Sequence, residues 1–181
     1  MALAFDSPDP SFPESAAPFG GQLCPLGEVL YGYWLDIHPG GDLLPGRQHF
    51  DPIDLGSRCP QLLQHLWLVD VEPAPRRFRL RLVGSAVYMT SPFARAGHYI
   101  DEFIDPASRA ETLQTSFTRL VESRQPEFRR GRPRIAANRH AKELTRLSLP
   151  LAGDGETVDV IVNITTYAWA TIDRPDFRRA G

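Results

Sequence analysis

Residues 66–85 read LWLVDVEPAPRRFRLRLVGS. Leu66 to Val71 is a compact apolar run. From Arg77 to Val83, Phe78, Leu80 and Leu82 alternate with Arg77, Arg79 and Arg81, which is the two-residue period of a strand with one dry and one wet face. The link Glu72-Pro73-Ala74-Pro75-Arg76 cannot continue a ladder, because proline brings no N–H. The chain therefore turns there, and the second run pairs antiparallel with the first. Such a hairpin needs cover for its Phe78, Leu80 and Leu82 face.

Upstream, residues 1–25 hold Pro8, Pro10, Pro13, Pro18 and Pro25 with Gly20, Gly21 and several serines. That is too little apolar surface to offset the entropy of ordering, and it predicts a disordered tail. Leu26, Val29, Leu30, Tyr33, Trp34 and Ile37 then recur at steps of three and four, one face of a short helix that Pro39-Gly40-Gly41 ends. Tyr31, Tyr33 and Trp34 spread around this helix more widely than a core-facing stripe needs, an excess that predicts a homodimer through it. A second helical piece is expected from Asp51 to Gln64, with Asp51 as N-cap, Pro52 in the first turn, and Gly56 and Pro60 dividing it.

Downstream, Ser85 to Thr90 reads as a helical turn and Ser91 to Gly97 as a loop. Asp105 can cap, and Pro106 open, the chain's best helix, whose apolar stripe is Leu113, Phe117, Leu120 and Val121. Three strands are predicted at Glu127 to Ile135, Ala141 to Leu149 and Thr157 to Tyr167, the last two joined through Gly153-Asp154-Gly155. Val158, Val160, Val162 and Ile164 alternate with Asp159, Ile161, Asn163 and Thr165, which again gives one apolar face. The pattern is α+β: a single domain over residues 26–170, with a polar tail at 171–181.

A chain of 181 residues, 42% hydrophobic and 23% charged, can bury one sizeable core, and two domains would be cramped. Its net charge of −2 gives no general attraction to nucleic acid or anionic membrane. Cys24 and Cys59 lack CxxC spacing, and no basic-then-apolar leader or bilayer-length apolar run is present. The sequence thus predicts a cytoplasmic protein with no membrane partner.

Catalytic signatures are missing: there is no GxxxxGK[ST] loop, HExxH pair or GxSxG elbow. The five histidines, His38, His49, His65, His98 and His140, are scattered singly and suggest no metal site. Asp101, Glu102 and Asp105 gather ahead of a helix, where negative charge offsets the macrodipole, so no enzyme is expected and a small α+β enzyme is the lesser alternative. Arg124, Arg129, Arg130, Arg132, Arg134, Arg139, Lys142 and Arg146 crowd one segment whose acids are Glu127 and Glu143. Clustered guanidinium groups suit an anionic partner, whether nucleic acid, nucleotide or acidic protein, with Arg129, Arg130, Arg132 and Arg134 as the contacting set. Phe128 as the segment's one aromatic weighs against nucleic acid, and alternation sends many of the arginines to a wet face.

A motif series spans this framework: Leu44-Pro45-Gly46-Arg47, Phe50-Asp51-Pro52-Ile53-Asp54, His65-Leu66-Trp67-Leu68-Val69-Asp70-Val71, Phe78-Arg79-Leu80-Arg81-Leu82-Val83-Gly84-Ser85, and Gly97-His98-Tyr99-Ile100-Asp101-Glu102. Its order and spacing resemble the PAS_5 family of PAS domains, over roughly residues 27–167. The family's Gly-x-Asp-Leu-Thr-Gly stretch is replaced here by Ser91-Pro92-Phe93-Ala94-Arg95-Ala96-Gly97, in which only the last glycine matches. The resemblance implies a five-stranded antiparallel sheet covered by short helices and one long helix, with an added N-terminal helix. It also implies a ligand cavity, for which the candidate lining is Phe78, Leu80, Leu82, Phe103, Phe117, Leu147 and Val160, with Tyr88, His98, Tyr99 and Thr145 as polar groups. The function it implies is a stand-alone sensory or protein-interaction domain that holds a small apolar or weakly polar ligand and signals through an unknown partner protein. Haem and flavin are not expected, because residues 106–124 contain no histidine and both cysteines precede the first strand.

Overall fold

The structure, a computed structural model, describes residues 19, 21–102, 112–133 and 141–169. The predicted hairpin forms: β1 (Leu66–Pro73) pairs antiparallel with β2 (Arg76–Val83). β3 (Glu127–Gly131), β4 (Ala141–Leu151) and β5 (Val160–Trp169) complete an antiparallel sheet of five strands in the order β2-β1-β5-β4-β3. The first and last strands are thus central neighbours, and the chain is α+β.

One residue changes which side chains meet. Val69 stands opposite Leu80, but Leu68 stands opposite Leu82, so Arg81 is an extra residue in β2. An inserted residue exchanges the faces of everything beyond it, because the side-chain period is two. Leu80 therefore shares a face with Val69 and Trp67, whereas Leu82 falls with Leu66 and Leu68 and is 37% exposed. The expected Phe78, Leu80, Leu82 stripe holds for its first two members only.

Helices cover both faces. On one, α4 (Leu113–Ser123) sets the Phe117 ring against Trp67 and Phe78, at centroid distances of 5.7 and 5.5 Å. The Thr112 Oγ1 caps α4 by accepting from Thr115 N at 3.2 Å; the predicted start at Asp105 and Pro106 lies outside the described residues. On the other face, α1 (Pro25–Asp36) packs over β4 and β5, and Trp34 Nε1 donates to the Pro150 carbonyl at 2.9 Å. Tyr33 and Trp34 are buried, and half-buried Tyr31 stacks on Trp34 and meets Phe19 edge-on. The aromatics that led the sequence to predict self-association through α1 are consumed within one protomer. Phe19 and Leu23 also pack on the core, inside the stretch whose composition predicted a disordered tail.

With both faces covered, Val160 to Thr165 are all buried, and the dry and wet alternation predicted for this strand does not hold. α2 (Pro52–Arg58) begins as predicted, Asp51 Oδ1 accepting from Ile53 N at 2.8 Å. Gly56 does not break α2. It admits Leu63, whose Cδ1 would stand 2.6 Å from a Cβ there. α3 (Ser85–Thr90) follows Gly84, where a Cβ would fall 2.4 Å from the Gln64 carbonyl oxygen. The β4–β5 link is longer than the Asp-Gly signal suggested, and the Asp154 carboxylate organises it by accepting from Glu156 N and Thr157 N at 2.8 and 2.7 Å. Those bonds hold the Asp154 carboxyl down at about 2. Among the described residues no helix is long and apolar enough to cross a membrane.

Candidate functional site

The sheet pairing sorts the residues expected to share one cavity. Phe78, Leu80 and Phe117 are buried on the α4 side. Leu147 pairs with Ile164, and Val160 with Asp70 and Leu151, which places both on the α1 side with Leu149 and Val162. They do not converge with Phe78. Thr145 is also on the α1 side, its hydroxyl 2.7 Å from that of Thr166. Phe103 lies outside the described residues.

Three other polar candidates stand at the surface. Tyr88 is 41% exposed, with the Arg95 guanidinium over its ring. The His98 Nδ1 lies 3.1 Å from Glu102 Oε2. The Tyr99 hydroxyl donates to Glu72 Oε1 at 2.9 Å, and that bond, with burial second, raises its pKa above the ordinary tyrosine range. Arg77 stacks 3.6 Å from the Tyr99 ring centroid and grips Asp101 through two nitrogens, and these bonds hold the Asp101 carboxyl below its usual value. These contacts brace the segment beside β2. They do not line an interior.

The polar interior is elsewhere, on the sheet face beneath α4. Register places Glu127, Ser148, Asn163 and Trp67 in one row across β3, β4, β5 and β1, with Arg129, Arg146 and Thr165 in the next row. Ser148 and Asn163 are 0% exposed, Arg146 is 5%, and Thr165 is 4%. Most of this set is satisfied internally. Trp67 Nε1 donates to Thr165 Oγ1 at 2.9 Å, and Arg146 Nη2 donates to Ser116 Oγ and lies 3.4 Å from Glu127 Oε1. Ser116 donates to Glu127 as well, Arg119 adds an ion pair at 2.9 Å, and the Arg146 guanidinium lies 5.3 Å from the Phe117 ring centroid. Tyr167 lies on the same face, and burial pushes its hydroxyl above the ordinary range while Ser91 and Arg146 pull the other way.

Three atoms of this set break the pattern, one of them the Nε of Arg146, whose Nη2 is bonded. Ser148 Oγ and Asn163 Oδ1 have no hydrogen-bond partner among the described residues, although Asn163 Nδ2 donates to the Ile161 carbonyl at 3.2 Å. A buried orphan of this kind costs on the order of 1–3 kcal/mol, so Ser148 and Asn163, on facing strands, are a local cost in an otherwise paired interior.

The arginine segment does not form one surface. Arg130 lies on the α1 side and grips Glu143 through Nε and Nη2 at 2.8 and 3.1 Å, which holds the Glu143 carboxyl below its usual value. Arg129 and Arg146 point to the α4 side, and Arg124 turns into the β4–β5 link, where Nη2 donates to Asp42 O at 2.7 Å and Gly155 O at 3.2 Å. Arg132 is exposed, and Arg134 lies outside the described residues. In the sequence Arg146 is one cation among many, Asn163 and Thr165 fall on the register opposite the apolar face of their strand, and Ser148 carries no signal. The available signal was position: the strand holding Asn163 is too apolar on both registers to sit at an open face. No family model, no curated protein and no solved structure matches the chain.

Proposed function

We propose that the chain is a PAS-type sensory domain that holds a small molecule against the α4 side of its sheet and passes the state of that site to a partner protein. The observation that carries this reading is the pair of unpartnered oxygens, Ser148 Oγ and Asn163 Oδ1, on facing strands at the centre of the fold. The Ser148 hydroxyl can donate and the Asn163 oxygen can accept, so the group they fit has both functions, as a hydroxyl, a protonated acid or a primary amide does. The ligand is therefore more polar than an interior of Phe78, Leu80 and Phe117 alone would select. The order strand, strand, short helix, longer helix and three strands, together with the motif series from Leu44 to Glu102, supports the PAS assignment. The reading contains no catalytic step.

α4 is the element through which occupancy would be passed on. It carries Phe117 over the site, and its Ser116 belongs to the hydrogen-bonded set of Arg146 and Glu127, so a ligand that displaces any member shifts the helix. The test is mass spectrometry of small molecules released by denaturing the freshly purified protein. A hydroxyl-, acid- or amide-bearing compound at near one equivalent is expected, and release of nothing beyond buffer components would overturn the reading.

A further inference from the structure

A second site lies at the β2 margin of the sheet. Between the hairpin, the segment leading to α2 and the β4–β5 link is an open depression of about 500 Å³, lined by Arg47, Asp70, Arg79, Arg81, Gly97 and Asp159 among others. Three guanidinium groups reach it from two separate parts of the chain. Arg47 opens a single 3₁₀ turn, Arg47–His49, just after a segment pinned to the link, where Leu44 N donates to Gly155 O at 2.8 Å and Ala152 N donates to Pro45 O at 2.9 Å. Arg79 and Arg81 come from β2, where the extra residue at Arg81 lets both side chains reach the same carboxylate: Asp70 accepts from Arg79 Nη2 at 3.1 Å and from Arg81 Nη1 at 3.0 Å. Gly97 closes the rim with φ at +91°, a backbone conformation that favours glycine, and its N–H donates to the Leu80 carbonyl.

Asp70 is largely enclosed, its side chain 18% exposed, and it works as a brace. It takes one nitrogen from each of two arginines and so fixes both guanidinium groups beside the depression. Arg79 Nε also approaches Glu72 at 3.4 Å. Arg47 makes no ion pair among the described residues and is exposed. Asp159 limits what the depression can accept. Its Oδ2 takes the Gly153 N–H at 3.2 Å and its Oδ1 has no partner among the described residues, so within the lining three arginines face two carboxylates, one net positive charge, with Glu72 outside the lining drawing on Arg79. That balance suits a single negative charge and disfavours a dianion.

We propose that this depression binds the carboxylate of a small monoanionic molecule, with Arg47, Arg79 and Arg81 as the donors. The site is independent of the one beneath α4, and the two can stand or fall separately.

The probe is sodium acetate, titrated into the full chain at constant ionic strength against sodium chloride and sodium phosphate, and followed by the arginine Nε–H and backbone signals in two-dimensional NMR. Saturable shifts with acetate at Arg47, Arg79 and Arg81 are expected, at least tenfold tighter than with chloride. R47Q should weaken acetate at least tenfold without moving the melting temperature, since the exposed Arg47 has no ion pair among the described residues to lose. D159N, which removes one negative charge from the lining, should tighten it. Shifts that follow ionic strength alone, an R47Q variant that binds as tightly as the wild type, or phosphate binding more tightly than acetate would each overturn the proposal.

Discussion

Ser148 and Asn163 stand directly opposite one another on β4 and β5, wholly buried, and each leaves one side-chain oxygen without a partner among the described residues. In a core where Trp67, Thr165, Ser116 and Arg146 all find hydrogen bonds, this is a local departure from the rule that buried polar groups are paired. Apolar alanine and leucine would leave no such unpaired oxygen there. The polarity of Ser148 and Asn163 is a cost that a ligand's own polar groups would offset.

The empty protein should therefore gain stability when that polarity is removed. The variant carrying Ser148→Ala and Asn163→Leu, refolded from denaturant so that no ligand is carried over, is expected to be more stable than the wild type by about 1 kcal/mol, the orphan penalty less the lost Ile161 bond. Urea unfolding curves measure this. A loss of stability of about that size would mean that both oxygens are satisfied in the native protein.

The pair between Arg146 and Glu127 behaves differently, because it is enclosed, with side-chain exposures of 6% and 15%. Glu127→Leu removes the carboxylate beside a buried guanidinium and is expected to cost about 3 kcal/mol, whereas adding Arg146→Met to it should recover most of that loss. A double-mutant cycle by chemical denaturation tests it. Additive losses would show that the two side chains do not act as a unit.

Much of this fold was legible in the sequence because its signals were local. The hairpin turned where Pro73 and Pro75 end the ladder, Asp51 capped α2, and α1 followed its spacing of three and four residues. What the sequence concealed depended on partners far along the chain. The extra residue at Arg81 is visible only against β1, and it moves Leu82 to the other face. Leu147 and Val160 alternate as a core strand should, but alternation does not say which of two covered faces they join. The polar interior is hidden for the same reason: Arg146 and Asn163 read as solvated until α4 is seen to lie over them.

Two glycines separate steric need from tolerance. At Gly84 a Cβ would meet the Gln64 backbone carbonyl at 2.4 Å, and at Gly131 it would meet nothing within 4 Å. Gly84→Ala is expected to cost roughly 2–3 kcal/mol, since backbone cannot step aside as a flexible side chain can, and Gly131→Ala to change stability by less than about 0.5 kcal/mol. Thermal melts of the two variants, side by side, give the comparison.

The β4–β5 link should lend the protein a pH dependence at its acid end. Asp154 has its folded pKa lowered to about 2 by the N–H groups of Glu156 and Thr157. A carboxylate lowered in this way adds stability above its unfolded value of about 4, and that contribution disappears as the pH falls through the folded value. The melting temperature of Asp154→Ala should lie below that of the wild type at pH 5 to 7, and the gap should close as the pH approaches about 2. A gap that stays constant from pH 6 to 2 would show that the carboxylate's charge does not hold the link together.

Native mass spectrometry of freshly purified wild type beside the Ser148→Ala and Asn163→Leu variant tests the proposed site most directly. The wild type is expected to fly with one small non-covalent adduct above its 20.3 kDa chain, and the variant, folded and at least as stable, without it. The same mass for both proteins, either bare or with an identical adduct, would contradict it.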